Sequence, residues 1–142
     1  MSNAVIHLSE SFIATDTVMR DVMTRAPETI EATASIGKAH EMMRKLRCRH
    51  LPVMRHGELV GVVSERDLYI LASLVGAEDA LDVVGDAMSP HVYTTTADAK
   101  LRDVARVMAA EKYGSAIVMD GTELVGIFTA TDAFRHLVSA LR

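Results

Sequence analysis

The stretch Glu58–Leu68, which reads ELVGVVSERDL, returns 65 residues later as ELVGIFTATDA at Glu123–Ala133. Each copy is a nearly unbroken apolar run, followed by a hydroxyl residue and, three positions on, by an aspartate. Such an apolar run indicates a strand that is covered on both faces. A hydroxyl with an acid three residues later is typical of the start of a helix. The repeated aspartates, Asp67 and Asp132, are therefore either helix-capping residues or residues that hold a ligand.

The likeness between these two stretches extends over most of the chain. Pairing each residue with the one 65 positions later needs no gap from Val18 to Asp67 of the first copy. Identical pairs occur along the whole alignment, among them Asp21/Asp86, Met23/Met88, Thr29/Thr94, Met43/Met108 and Val53/Val118. A gapless repeat of this length indicates two copies of one structural unit. We predict an N-terminal extension over residues 1–16, a first repeat over residues 17–77 and a second over residues 78–142.

Both copies predict the same order of elements. Short β-prone segments surround Thr29 and Thr94, and apolar residues three or four apart then predict helices that begin near Ile36 and Leu101. The runs HLPVM and SAIVMD predict strands, which short turns (RHG and DG) join to the ELVG strands as antiparallel hairpins. We predict an α/β (α+β) fold of two pseudo-symmetric β-α-β-β-α units that pack sheet to sheet, with right-handed crossovers.

The composition narrows the class of protein. Among the 142 residues, 49% are hydrophobic and 24% are charged, which is ordinary for a globular protein. The net charge of −4 argues against a protein that grips nucleic acid through its phosphates. Cys48 is the only cysteine, which excludes an internal disulfide and a CxxC pair. No apolar run approaches the ~20 residues of a membrane span, and no signal-peptide pattern opens the sequence. We expect a soluble, cytoplasmic protein.

The sequence also lacks the motifs of common enzyme and metal sites. It contains no P-loop, no GxGxxG after a strand and no GxSxG. Its histidines show neither the HxH nor the HExxH spacing of metal ligands. We therefore predict no catalytic residue, no metal ligand and no enzyme activity, and a failure to turn over ATP on long incubation would support that prediction.

The doubled motifs resemble those of a tandem cystathionine-β-synthase (CBS) domain pair, also called a Bateman module. The resemblance rests on DVMT at Asp21–Thr24, its echo DAMS at Asp86–Ser89, the RHLPVM strand, and the Gly-apolar-apolar-Ser/Thr-x-x-Asp ending of both copies. It covers about residues 17–142. The resemblance implies a stand-alone, non-catalytic module of bacterial type that binds an adenosine-containing ligand in clefts between the paired sheets. In this family AMP, ADP and ATP are the commonest ligands, and some members bind S-adenosylmethionine or NAD-type ligands.

The resemblance also assigns ligand contacts. It implies that Asp67 and Asp132 accept hydrogen bonds from ribose hydroxyls and that Ser64 and Thr129 lie beside phosphate. Further contacts are implied for the residue before each aspartate and for the residues that enter the second strand: Arg66, Thr131, Arg49, His50, Gly114 and Ser115. An ionised carboxylate suits a diol, and the amides at a helix start suit a phosphate. An apolar pocket for the base would use Tyr113, Leu51, Val53, Ala116 and Val118.

Plainer interpretations stay open for the same residues. Asp67 and Asp132 are also in the position of capping-box acids, and Arg49 and His50 are also typical of the solvated end of a helix. The first copy carries cationic residues where the second carries Gly, Ser and Thr. If charge decides the binding, the two clefts will not bind the same ligand equally well, and one of them can stay empty.

The resemblance further implies a homodimer that forms through helices. Candidate residues for that surface are Met42, Met43, Leu71, Leu74, Leu137 and Leu141. In this reading the ligand signals by changing the conformation or the dimer arrangement, and the regulated partner is another protein. The alternatives are a structural dimerisation module without a physiological ligand, and a sensor of S-adenosylmethionine or NADH.

Overall fold

The computed structural model describes residues 16–75 and 82–141. The predicted N-terminal extension, apart from Asp16, and the predicted boundary between the repeats lie outside these residues and stay predictions. The helices are α1 (Met19–Val22), α2 (Ile36–Leu46), α3 (Glu65–Val75), α4 (Val84–Ala87), α5 (Leu101–Glu111) and α6 (Ala130–Ala140). The strands are β1 (Thr24–Arg25), β2 (Ile30–Glu31), β3 (His50–Arg55), β4 (Glu58–Ser64), β5 (Thr94–Thr95), β6 (Ser115–Asp120) and β7 (Glu123–Thr129).

The predicted order of elements is confirmed in both copies, as β2-α2-β3-β4-α3 and as β5-α5-β6-β7-α6. The chain forms two compact units. One, the continuous unit, spans Pro27–Val92. The other, the split unit, joins the described residues that precede Pro27 to those from Tyr93 onward. Each unit holds one small mixed sheet with helices, as an α/β fold requires.

The sheet of the continuous unit has the strand order β2-β3-β4. Strands β2 and β3 are parallel and are joined through α2, whereas β3 and β4 form an antiparallel hairpin in which His50 lies opposite Ser64. The hairpin turns at His56 and Gly57, whose φ angles of 52° and 79° are both positive. A two-residue turn of this kind matches the twist of the flanking strands. The first copy thereby brings the start of β3 beside the start of α3.

The sheet of the split unit has the order β1-β7-β6-β5. Strands β5 and β6 are parallel, and β6 and β7 form an antiparallel hairpin in which Ser115 lies opposite Thr129. A fourth strand, β1, pairs antiparallel with β7 and places Thr24 opposite Ile127. The sequence predicted three strands for each sheet. Strand β1, which lies at the start of the first sequence copy, adds a fourth strand to the sheet of the second copy.

The short helix α1 begins the first sequence copy but packs with the second, and the short helix α4 begins the second copy but packs with the first. In both cases, two backbone N–H groups at the helix start donate to carbonyls of the loop after a short strand. The bonds of 2.8–2.9 Å run from Val84 and Gly85 to Ala34 and Ala32, and from Met19 and Arg20 to Ala99 and Ala97. We call residues 18–24 and 83–89 the lead-in segments. Each one begins one sequence copy but packs with the other, so the compact units differ from the repeats of the sequence.

The repeated aspartates of DVMT and DAMS cap these short helices. Asp21 Oδ2 accepts a hydrogen bond from the Val18 N–H at 3.4 Å, and Asp86 Oδ2 accepts one from the Val83 N–H at 3.2 Å. A carboxylate in the first turn satisfies an amide that the helix leaves free and interacts favourably with the helix dipole. The duplication of these acids thus has a structural cause.

The glycine of each ELVG motif is explained by the same lead-in segments. A Cβ atom on Gly61 would lie 2.6 Å from Met88 Sδ and 2.7 Å from the Ser89 carbonyl oxygen. On Gly126 a Cβ atom would collide with Met23 Sδ. Glycine in a strand interior commonly marks such a close approach of another segment. The methionines of the two lead-ins can contact the sheets only because these positions carry no side chain.

Each unit has its own hydrophobic core, to which its exchanged lead-in contributes one side chain. The core of the continuous unit contains Ile30, Ala32, Ala39, Met43, Leu51, Val53, Val63, Leu68 and Val84. The core of the split unit contains Met19, Val104, Met108, Ala116, Val118 and Phe128. Among the described residues, no helix has both the length and the apolar character needed to cross a membrane.

Candidate functional site

The predicted ligand residues of the first copy gather where β3 begins and β4 runs into α3. We call Arg49, His50, Ser64, Arg66 and Asp67 the first half-site. Asp67 Oδ2 accepts a hydrogen bond from the Ser64 N–H at 2.9 Å, and Ser64 Oγ accepts one from the Asp67 N–H at 3.0 Å. This reciprocal pair is a capping box. It fixes the rotamers of both side chains at the start of α3.

The second copy repeats this arrangement, with one addition. We call Tyr113, Gly114, Ser115, Thr129, Thr131 and Asp132 the second half-site. Asp132 Oδ2 accepts from the Thr129 N–H at 2.9 Å and from Thr129 Oγ1 at 3.0 Å, while Thr129 Oγ1 accepts from the Asp132 N–H at 3.2 Å. In addition, Arg135 Nη1 lies 3.5 Å from Asp132 Oδ1. Because the Arg135 side chain is 73% exposed, this ion pair is weak and screened.

The residues that enter the second strand join each half-site through a backbone hydrogen bond. The Glu65 N–H donates to the Arg49 carbonyl at 2.9 Å, and the Ala130 N–H donates to the Gly114 carbonyl at 3.0 Å. The strand register then sets His50 beside Ser64 and Ser115 beside Thr129. The structure therefore brings together the strand-entry residues and the capping residues that the sequence predicted as separate parts of one site.

The residues before the aspartates, Arg66 and Thr131, lie in the first turns of α3 and α6 and are exposed to solvent. Arg49 is likewise exposed, whereas His50 is half-buried. The first half-site thus carries two arginines and a histidine in addition to its aspartate. The second half-site presents hydroxyl and backbone groups at the same positions. The difference in charge that the sequence predicted is retained in the folded units.

Burial shifts the pKa of one group in the first half-site, His50, and of one group next to it, Cys48. Desolvation lowers the pKa of the His50 imidazole below its ordinary value, with Asp67 acting in the opposite direction and Arg49 in the same direction. Desolvation also raises the pKa of the Cys48 thiol, although the backbone N–H of His50 acts to lower it. A thiol with a raised pKa is a poor nucleophile. Cys48 therefore packs beside the half-site as a small apolar residue.

Tyr113 has a partner that the sequence analysis missed. Its ring stacks on that of Tyr93, with the centroids 5.4 Å apart and the planes inclined by 30°. The two tyrosines meet because β5 and β6 are parallel neighbours, which places the residues preceding both strands at one edge of the sheet. Tyr93 could have been found from that rule. The repeat alignment gives no sign of it, because its counterpart in the first copy is Glu28.

Four of the proposed walls of the base pocket belong to the hydrophobic cores instead. Leu51, Val53, Ala116 and Val118 are at most 1% exposed, so they pack against protein and present no surface to a ligand. Tyr113 is 39% exposed and keeps an accessible ring. The prediction for the four aliphatic residues was wrong because it rested on their apolar character, which does not reveal whether a side chain is already covered by the protein.

The predicted dimer surface is corrected in part. Met43 is buried in the core, whereas Leu74, Leu137 and Leu141 are exposed. Further large apolar side chains on α3 and α6 are exposed with them: Tyr69, Ile70, Phe134 and Val138. Each of these two helices therefore carries an uncovered apolar face within its own unit.

No group of three or more histidine, cysteine, aspartate or glutamate side chains that could hold a metal ion occurs in residues 16–75 and 82–141. The acids of the half-sites are engaged in capping boxes. The chemistry available at each half-site is that of hydrogen bonding, through a carboxylate, a hydroxyl and helix-start amides.

Comparison with known proteins matches the CBS domain over residues 19–72 and 84–139. A curated inosine-5'-monophosphate dehydrogenase from Korarchaeum cryptofilum is 32% identical over 127 residues, which make up 89% of this chain and 23% of that enzyme. The chain thus spans about a quarter of that relative. The CBS domain-containing protein YhcV of Bacillus subtilis is 25% identical over 114 residues, which cover 80% of this chain and 81% of YhcV.

Two solved structures with bound ligands are also similar. The structure of CBSX2 in complex with AMP has a TM-score of 0.73 and 28% identity, and covers 89% of this chain and 99% of that one. The CBS domain pair of protein MJ0100, in complex with 5'-methylthioadenosine and S-adenosyl-L-methionine, has a TM-score of 0.77 and 26% identity, and covers 89% and 98%.

Proposed function

Because the chain belongs to the CBS domain family, we propose that it is a non-catalytic regulatory module that binds an adenosine-containing ligand, with AMP, ADP or ATP favoured. The bound compounds of two relatives, AMP in CBSX2 and S-adenosylmethionine in the MJ0100 domain pair, support the ligand class. We also propose that the module works in the cytoplasm.

One observation carries this proposal: the carboxylate of Asp67 is only half used by the protein. Its Oδ2 atom serves the capping box, and within the described residues no hydrogen bond engages Oδ1. The remaining oxygen is fixed in place at no further entropic cost and accepts hydrogen bonds only, as a ribose diol requires. Ser64 and the amides at the start of α3 supply donors for a phosphate nearby.

The charges favour the first half-site for a phosphorylated ligand. Arg49 and Arg66 can form charge-assisted hydrogen bonds to phosphate oxygens, and the second half-site has no cationic residue at the matching positions. An uncharged nucleoside portion suits the second half-site better, and this half-site is the one to examine for S-adenosylmethionine or 5'-methylthioadenosine. If the module has two conformations, a bound ligand shifts the equilibrium between them only by the difference between its affinities for the two.

The proposal is tested by thermal unfolding of the protein with AMP, ADP, ATP, S-adenosylmethionine or NADH. A ligand at ~100 times its dissociation constant adds about 2.7 kcal/mol to the free energy of unfolding. For a chain of this size the midpoint temperature is then expected to rise by about 5–10 °C. We expect a rise with at least one of AMP, ADP and ATP. A cooperative transition that none of the five compounds moves would contradict the proposal.

A second function, homodimerisation, is favoured by the exposed apolar faces of α3 and α6. Phe134 and Val138 are 66% and 70% exposed, and they lie one turn apart on α6. Burial of such side chains contributes about 1.5–3 kcal/mol each. We propose that a second copy of the chain covers them, as a partner in regulation or, if no ligand binds, as the whole purpose of the module.

Replacing Val138 with glutamate is expected to halve the mass found by sedimentation equilibrium, because a charge cannot be buried in an apolar interface without a large cost. The matched control is Ala109→Glu, which places the same charge on an exposed position of α5 and should leave the mass of the wild type unchanged. A wild-type protein that sediments as a monomer at every concentration would exclude dimerisation through these helices.

A further inference from the structure

His50 lies in the first half-site, beside the residues that we propose to bind a phosphate. It begins β3 and lies opposite Ser64, whose hydroxyl and amide belong to the capping box of α3. The preceding residue, Arg49, is tied to the first residue of α3 through the Glu65 N–H. The imidazole is thus half-buried at the junction of the strand and the helix start where anions are favoured.

Charged groups of opposite sign act on His50. Asp67, from the first turn of α3, favours the imidazolium, whereas Arg49 on the same approach to β3 disfavours it. The first turn of α3 also carries Glu65 and Arg66, one acid and one base, while β4 contributes the uncharged Ser64. Burial then decides the outcome and holds the pKa of His50 below its ordinary value, so that the imidazole is neutral at neutral pH in the free protein.

We propose that His50 recognises the phosphoryl group of the ligand by taking up a proton as the nucleotide binds. This inference rests on the proposed function and deepens it, because it names the first half-site as selective for phosphorylated over unphosphorylated adenosine. A phosphate dianion beside the ring stabilises the imidazolium and so offsets the desolvation that disfavours it. The dianion also neutralises the opposing effect of Arg49. His50 thereby becomes a doubly donating cation, which the ligand itself brings about.

The direction of the pH dependence follows from this linkage. The pKa of His50 is raised on binding, so the complex holds more protons than the free protein at every pH between the two values. Binding therefore tightens as the pH falls through that interval, by at most tenfold per pH unit for one proton. Adenosine, which lacks the phosphate, leaves the balance of charges unchanged, and its affinity should not depend on His50.

The second half-site lacks this device, which provides an internal comparison. Ser115 occupies the position opposite Thr129 that His50 occupies opposite Ser64, and Ser115 is buried. It cannot titrate. A phosphate beside this strand-entry position would meet a neutral hydroxyl, so any ligand bound at that half-site should show no proton uptake from it.

The test compares AMP and adenosine binding to the full chain by calorimetry between about pH 8 and about pH 6.5, above the second pKa of the phosphate itself. The wild type is expected to bind AMP about five to ten times more tightly at the lower pH. His50→Gln should change by less than about twofold over the same interval. Repeating the titrations in two buffers with different ionisation heats counts the protons: the wild type should take up a fraction of a proton with AMP, and His50→Gln none.

Two further variants keep the test decisive. His50→Arg carries a fixed charge, and it should bind AMP tightly at about pH 8 without pH dependence, even if the glutamine variant folds poorly. His91→Gln, at an exposed histidine of the same unit, should retain the wild-type profile. Equal pH profiles for the wild type and the His50 variants, or equal tightening with adenosine, would overturn the role of His50 while leaving nucleotide binding intact. Absence of AMP binding at any pH would overturn the proposed function and this inference together.

Discussion

Truncation of Phe128 to alanine is expected to lower the free energy of unfolding by about 3–5 kcal/mol. Phe128 is completely buried in the core of the split unit, where Met19 of the exchanged lead-in and Val104 and Met108 of α5 surround it. The loss combines the transfer energy of the ring with the cavity that it leaves, which strand β7 and helix α5 cannot collapse to fill. Urea unfolding followed by circular dichroism measures this change.

The conservative control at the same position is Phe128→Leu. It retains most of the apolar volume and should cost less than about 1.5 kcal/mol. An effect of Phe128→Ala below about 1 kcal/mol would mean that the split unit is much less tightly packed than its buried fraction implies. The side chain at the matching position of the continuous unit is Val63, which is also completely buried, so the two copies keep the burial and differ in volume.

The parts of this fold that could be predicted from the sequence are those set by neighbours along the chain. The ELVG strands, the tight hairpin turns and the capping boxes at Asp67 and Asp132 depend on residues within about a turn of each other. The duplication then supplied a second, independent copy of each pattern. The structure also places Arg49 beside the start of α3, because a hairpin places the start of its first strand beside the end of its second.

The features that were missed depend on which segments meet in space. Met43 was a candidate for the dimer surface that the resemblance implies, and Leu51 was a candidate wall of the base pocket, but both are buried. Apolar character alone does not reveal what covers a side chain. The exchange of α1 and α4 between the copies was not predictable either. Aligned lead-ins look identical whether each packs with its own copy or with the other, and only contacts such as that of Met88 with Gly61 distinguish the two.

Helix capping and ligand binding are compatible roles for Asp67. Capping uses one carboxylate oxygen, and it fixes the direction of the other. The carboxylate half of this capping arrangement recurs at Asp86 in α4, where the N-cap residue Val83 cannot make the reciprocal bond and the helix has only four residues. The comparison of these two aspartates separates the contribution of capping from that of ligand binding.

Replacement of Asp67 with asparagine is expected to weaken AMP binding about 10- to 100-fold, the value of one or two hydrogen bonds to a charged group. Asparagine keeps an oxygen for the Ser64 N–H, so the cap and the stability of the free protein should change by less than about 1 kcal/mol. Isothermal titration with AMP gives the affinity, and thermal unfolding of the free variant gives the stability.

Asp86→Asn alters an equivalent cap and should leave AMP affinity within about twofold of the wild type, which makes it the matched control. Asp132→Asn tests the second half-site. Because that site has no cationic residue at the positions that match Arg49 and Arg66, and because Arg135 already contacts Asp132 Oδ1, we expect a smaller loss of AMP affinity than for Asp67→Asn. If Asp67→Asn and Asp86→Asn weakened AMP equally, the aspartates would act through folding alone. If Asp132→Asn had the larger effect, the phosphorylated ligand would belong to the second half-site, and charge would not be what distinguishes the two.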